Sequence, residues 1–399
     1  TDNAGLDKNY NLVVTANGKS KVEKATLNVG LNDVVRTYGN ATITSGGYSA
    51  GKITGLVNGD SYNASDVKVT VTGDGAIDGV SGSKVTNDAG NYEWSGSAST
   101  TNAGLDKNYN LVVTANGKSV VEKATLNVGL NDVVRTYGNA AITSGGYSAS
   151  GITGLVNGDS YNAGDVKVTV TGDGAIDGVS GSKVTNDAGD YTWSGTVTAN
   201  NAGLDKNYNL VVTANGKSVV EKATLNVGLN DVVRTYGDAA ITGGGYSASG
   251  ITGLVNGDSY SAGDVKVTVT GDGAIDGVSG SKVTNDAGNY EWSGSASTTN
   301  AGLDKNYNLV VTANGKSVVE KATLNVGLND VVRTYGDAAI TGGGYSASGI
   351  TGLVNGDSYS AGDVKVTVTG DGAIDGVSGS KVTNDAGNYE WSGSASTTN

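Results

Sequence analysis

One spacing constrains this chain more than any other feature. Trp94, Trp193, Trp292 and Trp391 stand 99 residues apart, and so do Tyr38, Tyr137, Tyr236 and Tyr335. Residues 201–300 are identical to residues 300–399. One rung of a β-helix takes roughly 20–30 residues, so this period is that of a small domain. The 399 residues hold four such cassettes and three residues of a fifth.

The phase of the cut follows from strand signals. Lys24-Ala25-Thr26-Leu27-Asn28-Val29-Gly30-Leu31 reads as an opening strand. Asn9–Thr15 reads as a closing strand, followed by a hairpin at Asn17-Gly18. The predicted domains are therefore 24–122, 123–221 and 222–320. Residues 1–23 are predicted to be the last strands of a preceding repeat, and 321–399 a repeat lacking its last strands. A cut at 1–99 and onward is the alternative phase.

Val67-Lys68-Val69-Thr70-Val71-Thr72 alternates strictly, so three valines share one face. Ala25, Leu27, Val29 and Leu31 share another face, as do Tyr92 with Trp94 and Tyr10 with Leu12 and Val14. Turn signals separate the runs at Asn58-Gly59-Asp60, Gly73-Asp74-Gly75, Ser81-Gly82 and Asp88-Ala89-Gly90. No window sustains a 3.6-residue period, so at most a short helical turn is expected near Asp60–Asp66. The expected class is all-β, with each cassette a small antiparallel β-sandwich of Ig-like type; a β-grasp-like unit is the alternative.

The junction Ser119-Val120-Val121-Glu122-Lys123-Ala124-Thr125-Leu126 contains neither Gly nor Pro. Flexible linkers are rich in Gly and Ser. This join is β-branched, which predicts stiff end-to-end fusion and an elongated rod. The three complete cassettes hold nine acids against seven bases, nine against six and ten against six. Neighbours of like charge resist folding back on one another.

Composition excludes several functions. The chain has no Cys and no His, so it has neither a thiolate nor the usual proton shuttle. Its net charge of −13 argues against nucleic acid and anionic membranes. No apolar run reaches the roughly 18–20 residues of a membrane-spanning helix, so no membrane insertion is expected. The chain starts at Thr1 without a visible signal peptide and reads as an excised piece of a larger protein.

The order of short motifs in each cassette resembles a known repeat. Ala-Thr-Leu-Asn-Val is followed by Tyr38-Gly39-Asn40 (Tyr236-Gly237-Asp238 in the third copy), then Gly55-Leu56-Val57-Asn58-Gly59-Asp60-Ser61, then Ala89-Gly90-Asn91-Tyr92. Lys8-Asn9-Tyr10-Asn11-Leu12 with Asn17-Gly18 completes the set. This order is similar to the MBG domain of the Tyr-Gly-x type, found in tandem in large bacterial adhesins, including filamentous-haemagglutinin-like proteins exported by two-partner secretion. The Pro usual shortly after Tyr-Gly-Asp is missing. The resemblance implies a secreted, outer-membrane-associated stalk that projects a distal binding region for cell adhesion or biofilm formation. It brings no catalytic residues.

Several chemistries can be weighed against that reading. Gly47-Tyr48-Ser49-Ala50-Gly51 matches a nucleophile elbow, but no His can serve as its base, and the second copy reads Gly146-Tyr147-Ser148-Ala149-Ser150. Asp74 and Asp78 could contribute to a calcium site, but they fall short of the ligand number calcium needs and Asp-Gly pairs are ordinary turn formers. Asp74 with Asp78, or Asp60 with Asp66, could form a glycosidase pair; solvated surface carboxylates are the expected reading. Tyr48, Tyr62 and Trp94 could build a sugar platform, although the alternation of Tyr92 with Trp94 favours the core for Trp94. Asn40-Ala41-Thr42 and Asn63-Ala64-Ser65 match a glycosylation sequon in the first copy alone. The expectation is thus a non-enzyme with no catalytic, cofactor or metal site, whose partners are neighbouring repeats. Host-cell or biofilm-matrix glycans or proteins would be met by regions outside this segment. A repeated ligand-binding module acting by avidity is the alternative.

Overall fold

The computed structural model describes residues 8–40, 47–77, 85, 87–139, 146–176, 183–184, 186–239, 241, 245–275, 282–283, 285–338, 340, 344–374 and 381–398. The chain divides into two compact units. One comprises Thr1–Arg135, Ala140–Lys183 and Asp190–Val219; the other comprises Thr136–Asn139, Val184–Gly189 and Val220–Asn399.

In the first unit, β1 (Ala25–Leu31), β2 (Val34–Thr37), β3 (Ala50–Thr54), β4 (Lys68–Asp74) and β5 (Gly90–Ser99) lead to a short helix, α1 (Ala103–Asn108). β6 (Tyr109–Ala115) and β7 (Gly117–Glu122) follow. They form two sheets, ordered β3-β1-β6 and β2-β7-β5-β4. Leu27, Val29 and Ala50 of the first sheet pack with Val69 and Ala98 of the second. Leu31, Val34, Tyr48 and Trp94 close the other end of this core. Each strand buries one alternate face, as the period-two pattern requires: β1 buries Leu27, Val29 and Leu31 and exposes Thr26. The architecture is a tandem β-sandwich.

The sheets are mixed rather than purely antiparallel. β1 pairs antiparallel with β3 but parallel with β6, Ala25 opposite Tyr109. β2 pairs parallel with β7, Val34 opposite Ser119. The closing strands thus return beside the opening strands. Parallel neighbours need a long crossover between them, and here nearly the whole cassette serves as one.

Two local expectations change. Asn116-Gly117, the complete-copy counterpart of Asn17-Gly18, is no hairpin: β6 and β7 belong to different sheets, and this dipeptide is where the chain switches between them. Gly is needed there for space, since a Cβ on Gly117 would lie 2.1 Å from Trp94 Nε1 and 2.3 Å from Asn32 O. Second, the helix α1 was not anticipated. Its N-cap Asn102 accepts from the Gly104 and Leu105 amides, and Leu105 is fully buried. The helical turn expected near Asp60–Asp66 is a single 3-10 turn at Ala64–Asp66. Asn58-Gly59 forms the expected tight turn, with both residues at positive φ (56° and 75°).

The chain continues through β8 (Ala124–Leu130), β9 (Val133–Thr136), β10 (Ala149–Thr153), β11 (Val166–Asp173), β12 (Gly189–Ala199), α2 (Ala202–Asn207), β13 (Tyr208–Ala214) and β14 (Gly216–Glu221). The sheets are β10-β8-β13 and β11-β12-β14-β9. A single residue, Lys123, separates β7 from β8. One buried cluster runs across this join, from Tyr38, Ile77, Val85 and Val121 to Leu126, Leu204 and Tyr208.

The second unit holds β15 (Ala223–Leu229), β16 (Val232–Thr235), β17 (Ala248–Thr252), β18 (Lys266–Asp272), β19 (Gly288–Ser297), α3 (Ala301–Asn306), β20 (Tyr307–Val311) and β21 (Gly315–Glu320). Its sheets β17-β15-β20 and β16-β21-β19-β18 repeat the pattern. β22 (Asn325–Leu328), β23 (Ala347–Thr351), β24 (Val364–Asp371) and β25 (Trp391–Thr397) then form only two-stranded sheets, β22-β23 and β24-β25.

Candidate functional site: the seam between repeats

The most elaborated polar geometry joins one repeat to the next. In the first unit, Tyr38 follows β2 in a turn whose next residue, Gly39, has φ 81°. The Tyr38 ring meets Tyr208 edge-on, with centroids 5.7 Å apart and planes at 83°. Such pairs contribute about 0.5–1.5 kcal/mol beyond the area they bury. Both phenols converge on one carboxylate: Tyr38 donates to Asp159 Oδ2 over 3.1 Å and Tyr208 over 2.8 Å. Tyr208 Oη also accepts from the Val156 amide at 2.9 Å. Burial, followed by the nearby Asp159 and its hydrogen bond, pushes both phenols above their ordinary pKa.

The seam is closed by further bonds. Asn157 Nδ2 donates to Val85 O at 2.9 Å, from a residue at φ 57°. Asn207, at the end of α2, accepts from the Ala89 amide and donates to Asp88, each at 2.8 Å. Lys206 pairs with Asp88 at 2.6 Å, and its hydrogen bond, then that of Asn207, holds the Asp88 carboxyl below the usual range. Gly39 lies against Val156 so closely that a Cβ there would sit 2.2 Å from Val156 Cγ2. The second unit reproduces this set. Tyr137 meets Tyr307 at 5.7 Å, Asn256 donates to Val184 O at 2.8 Å, and Lys305 pairs with Asp187 at 2.7 Å.

A second polar cluster is buried inside each cassette. Arg36 Nη2 lies 2.9 Å from Asp74 Oδ2, with both side chains sealed from solvent, and also donates to Ser119 Oγ. Tyr48 donates to Asp74 Oδ2 at 2.6 Å, and the Ala76 amide to Oδ1 at 2.9 Å. Burial pushes the Asp74 carboxyl up, but the hydrogen bonds from Tyr48, Ala76 and Ser119 and the Arg36 charge outweigh it and hold it below the ordinary value. The Tyr48 phenol is pushed up to about 12 by burial and then by Asp74. The cluster recurs at Arg135–Asp173, Arg234–Asp272 and Arg333–Asp371.

This placement revises the reading of Asp74 as a solvated turn carboxylate. It is buried because β4 carries it inward opposite Trp94, where Arg36 neutralises it. A signal for it was present: in Val34-Val35-Arg36-Thr37, alternation puts Arg36 on the face of the buried Val34. Asp78 lies outside the described residues, as do Ala41 and Thr42 of the first sequon and the Ser81-Gly82 turn. Asp60 accepts from the Tyr109 phenol at 2.8 Å, whereas Asp66 accepts from the Asn63 amide at 2.9 Å. Asn63 caps the 3-10 turn. Tyr48 and Trp94 do not form an exposed platform. They stack edge-on at 4.8 Å within the core, Trp94 being 1 % exposed, while Tyr62 packs on Tyr109 at 6.2 Å. Ser49 donates its amide to Asn32, and the Tyr48 hydroxyl beside it is committed to Asp74. Among the described residues no three Asp or Glu side chains group as a metal site would need, and no helix is long and apolar enough to cross a membrane.

The fold and seam define an all-β protein of tandem sandwiches. No known family profile and no curated protein matches the sequence. Among solved structures, the chain is similar to Drosophila N-cadherin EC1-4, at 11 % identity and TM-score 0.19 over 90 % of each chain. It is also similar to human CDH23 EC21-23, at 10 % identity and TM-score 0.26 over 75 % of this chain and 100 % of that one. At these scores the likeness adds nothing to the architecture read from strand pairing.

Proposed function

We propose that the chain is a non-catalytic structural spacer, the stalk of a bacterial cell-surface adhesin that holds a distal binding region away from the cell. The observation that carries this reading is the join itself: one residue between β7 and β8, flanked by a seam of two tyrosines, a shared carboxylate and a bonded Asn. A linker of one residue leaves little hinge freedom, and a seam built from buried rings resists bending. The residue order similar to MBG repeats supports secretion and a surface location, and the acidic balance of −13 supports solubility of a long repetitive molecule. Small-angle scattering of the 399-residue chain tests it. Stiffly joined cassettes are expected to give a radius of gyration well above the roughly 21 Å of a compact globule of this length. A radius of gyration matching a compact globule overturns the spacer reading.

A further inference from the structure

The seam contains an Asn-Gly turn whose side-chain amide helps to hold it shut. Asn157 and Gly158 stand at φ 57° and 78°, and the Asp159 amide donates to Val156 O at 3.0 Å across the turn. Asn157 Nδ2 donates to Val85 O of the preceding repeat at 2.9 Å, while Asn157 Oδ1 is buried without a partner among the described residues. The second unit repeats this at Asn256, with Nδ2 on Val184 O at 2.8 Å and a buried, unpartnered Oδ1. Gly158 and Gly257 follow, both exposed. An Asn followed by Gly is open to intramolecular attack, because no Cβ shields the Gly nitrogen. In that attack the Gly nitrogen bonds to the Asn Cγ and ammonia leaves. Water then opens the cyclic imide to aspartate or isoaspartate, and no other reactant is consumed. The Asn side chain must swing onto the Gly nitrogen, and the hold of Val85 O on Nδ2 opposes that.

We infer that Asn157 and Asn256 are deamidation sites, protected while their seams are closed and released when a seam opens. The product cannot restore the closed seam. A carboxylate has no N–H to give Val85 O, and its charge would be buried where one amide oxygen already lacks a partner. The isoaspartate form adds a methylene to the main chain just ahead of Asp159, the carboxylate that Tyr38 and Tyr208 share. Deamidation therefore fixes a seam in its loosened form. A stalk would keep a covalent record of having been bent. That consequence rests on the spacer reading; the chemistry at Asn157 does not.

Tryptic mass mapping of the 399-residue chain, held at mildly alkaline pH, tests this. Asn157 lies in the peptide 136–167, which is unique; Asn256 and Asn355 lie in the identical peptides 235–266 and 334–365 and are read together. In the native chain both readings are expected to lag those of the urea-unfolded chain by about tenfold or more. Gly39→Ala, which parts the seam held by Asn157, is expected to speed Asn157 by about fivefold or more and to leave the other reading unchanged. Tyr38→Phe removes a phenol bond and keeps the ring; it is expected to act in the same direction, and it serves if Gly39→Ala does not fold. Asn157→Asp is expected to speed exchange of the Ala89 amide, bonded across the same seam to Asn207, by about fivefold or more, and Asn256→Asp to leave it unchanged. Native and unfolded chains that deamidate at one rate overturn the inference. So does an Asn157 rate that neither seam variant moves, or an Asn157→Asp chain whose Ala89 amide exchanges as in the parent. The assay reads chemistry and not shape, so its failure is separate from failure of the spacer reading.

Discussion

Replacing Gly39 by Ala separates the seam from the cassettes it joins. At φ 81° an L side chain costs roughly 1–2 kcal/mol through left-handed backbone strain alone. The new Cβ would also stand 2.2 Å from Val156 Cγ2 and 2.4 Å from Val156 Cβ, against an ordinary carbon contact of about 3.5–4.0 Å. The Val156 Cβ is fixed to the backbone, so the two repeats must part. Overpacking of this kind costs about 1–3 kcal/mol. Gly336 is the internal control: it has the same turn, at φ 83°, with nothing within 4 Å of its would-be Cβ. Gly39→Ala is therefore expected to destabilise by about 2–5 kcal/mol and Gly336→Ala by about 1–2 kcal/mol. Urea unfolding of the full chain measures both. Exchange of the Ala89 amide, bonded across the seam to Asn207, should accelerate by about 5- to 150-fold in Gly39→Ala and stay unchanged in Gly336→Ala. Equal losses in urea, with an unmoved Ala89 amide, would refute a load-sharing seam.

The buried ion pair should behave as a unit. Asp173→Asn leaves Arg135 buried without its counter-charge, and the expected loss is about 3–5 kcal/mol, with much of it recovered when both partners are made apolar in the double variant Arg135→Met, Asp173→Leu. Equilibrium unfolding of both variants beside the parent chain checks this. Because the Asp74, Asp173, Asp272 and Asp371 carboxyls are held low, their stabilisation is complete above the unfolded value of about 3.9 and is lost as pH falls below it towards the folded values. An acid titration followed by tryptophan fluorescence should show this. Tyr48, Tyr147 and Tyr246 act oppositely. Their folded values near 12 make their contribution complete below the unfolded value of about 10 and lost as pH rises through about 12, visible as late phenolate absorbance coupled to unfolding. Lys206→Ala, which removes a largely solvent-exposed ion pair at the seam, should leave the urea midpoint unmoved.

Much of the architecture was legible in one dimension because period-two alternation reports which face of a strand is buried. The opening strand at Ala25–Leu31, the Val67–Thr72 alternation and the Asn58-Gly59 turn all follow from that rule and from local backbone preference. The Arg36–Asp74 pair was half legible. Alternation turned Arg36 inward, but its partner stood in a Gly-Asp-Gly run that has the composition of a turn. The seam was not legible as geometry, since Tyr38 and Tyr208 are brought together only by the packing of consecutive repeats.

Two identical tetrapeptides mark the boundary between the two kinds of information. Val232–Thr235 is a strand, paired in parallel with Ser317–Glu320. Val331–Thr334 has the same four residues and is no strand. The amino-acid order alone determined the repeat, the alternating faces and the tight turns, because these depend on side-chain period and on the φ each residue tolerates. Only the tertiary structure decided which alternating segments became strands and where Asn116-Gly117 led. A sheet hydrogen bond needs a partner, and here the parallel partner lies some 85 residues away along the chain.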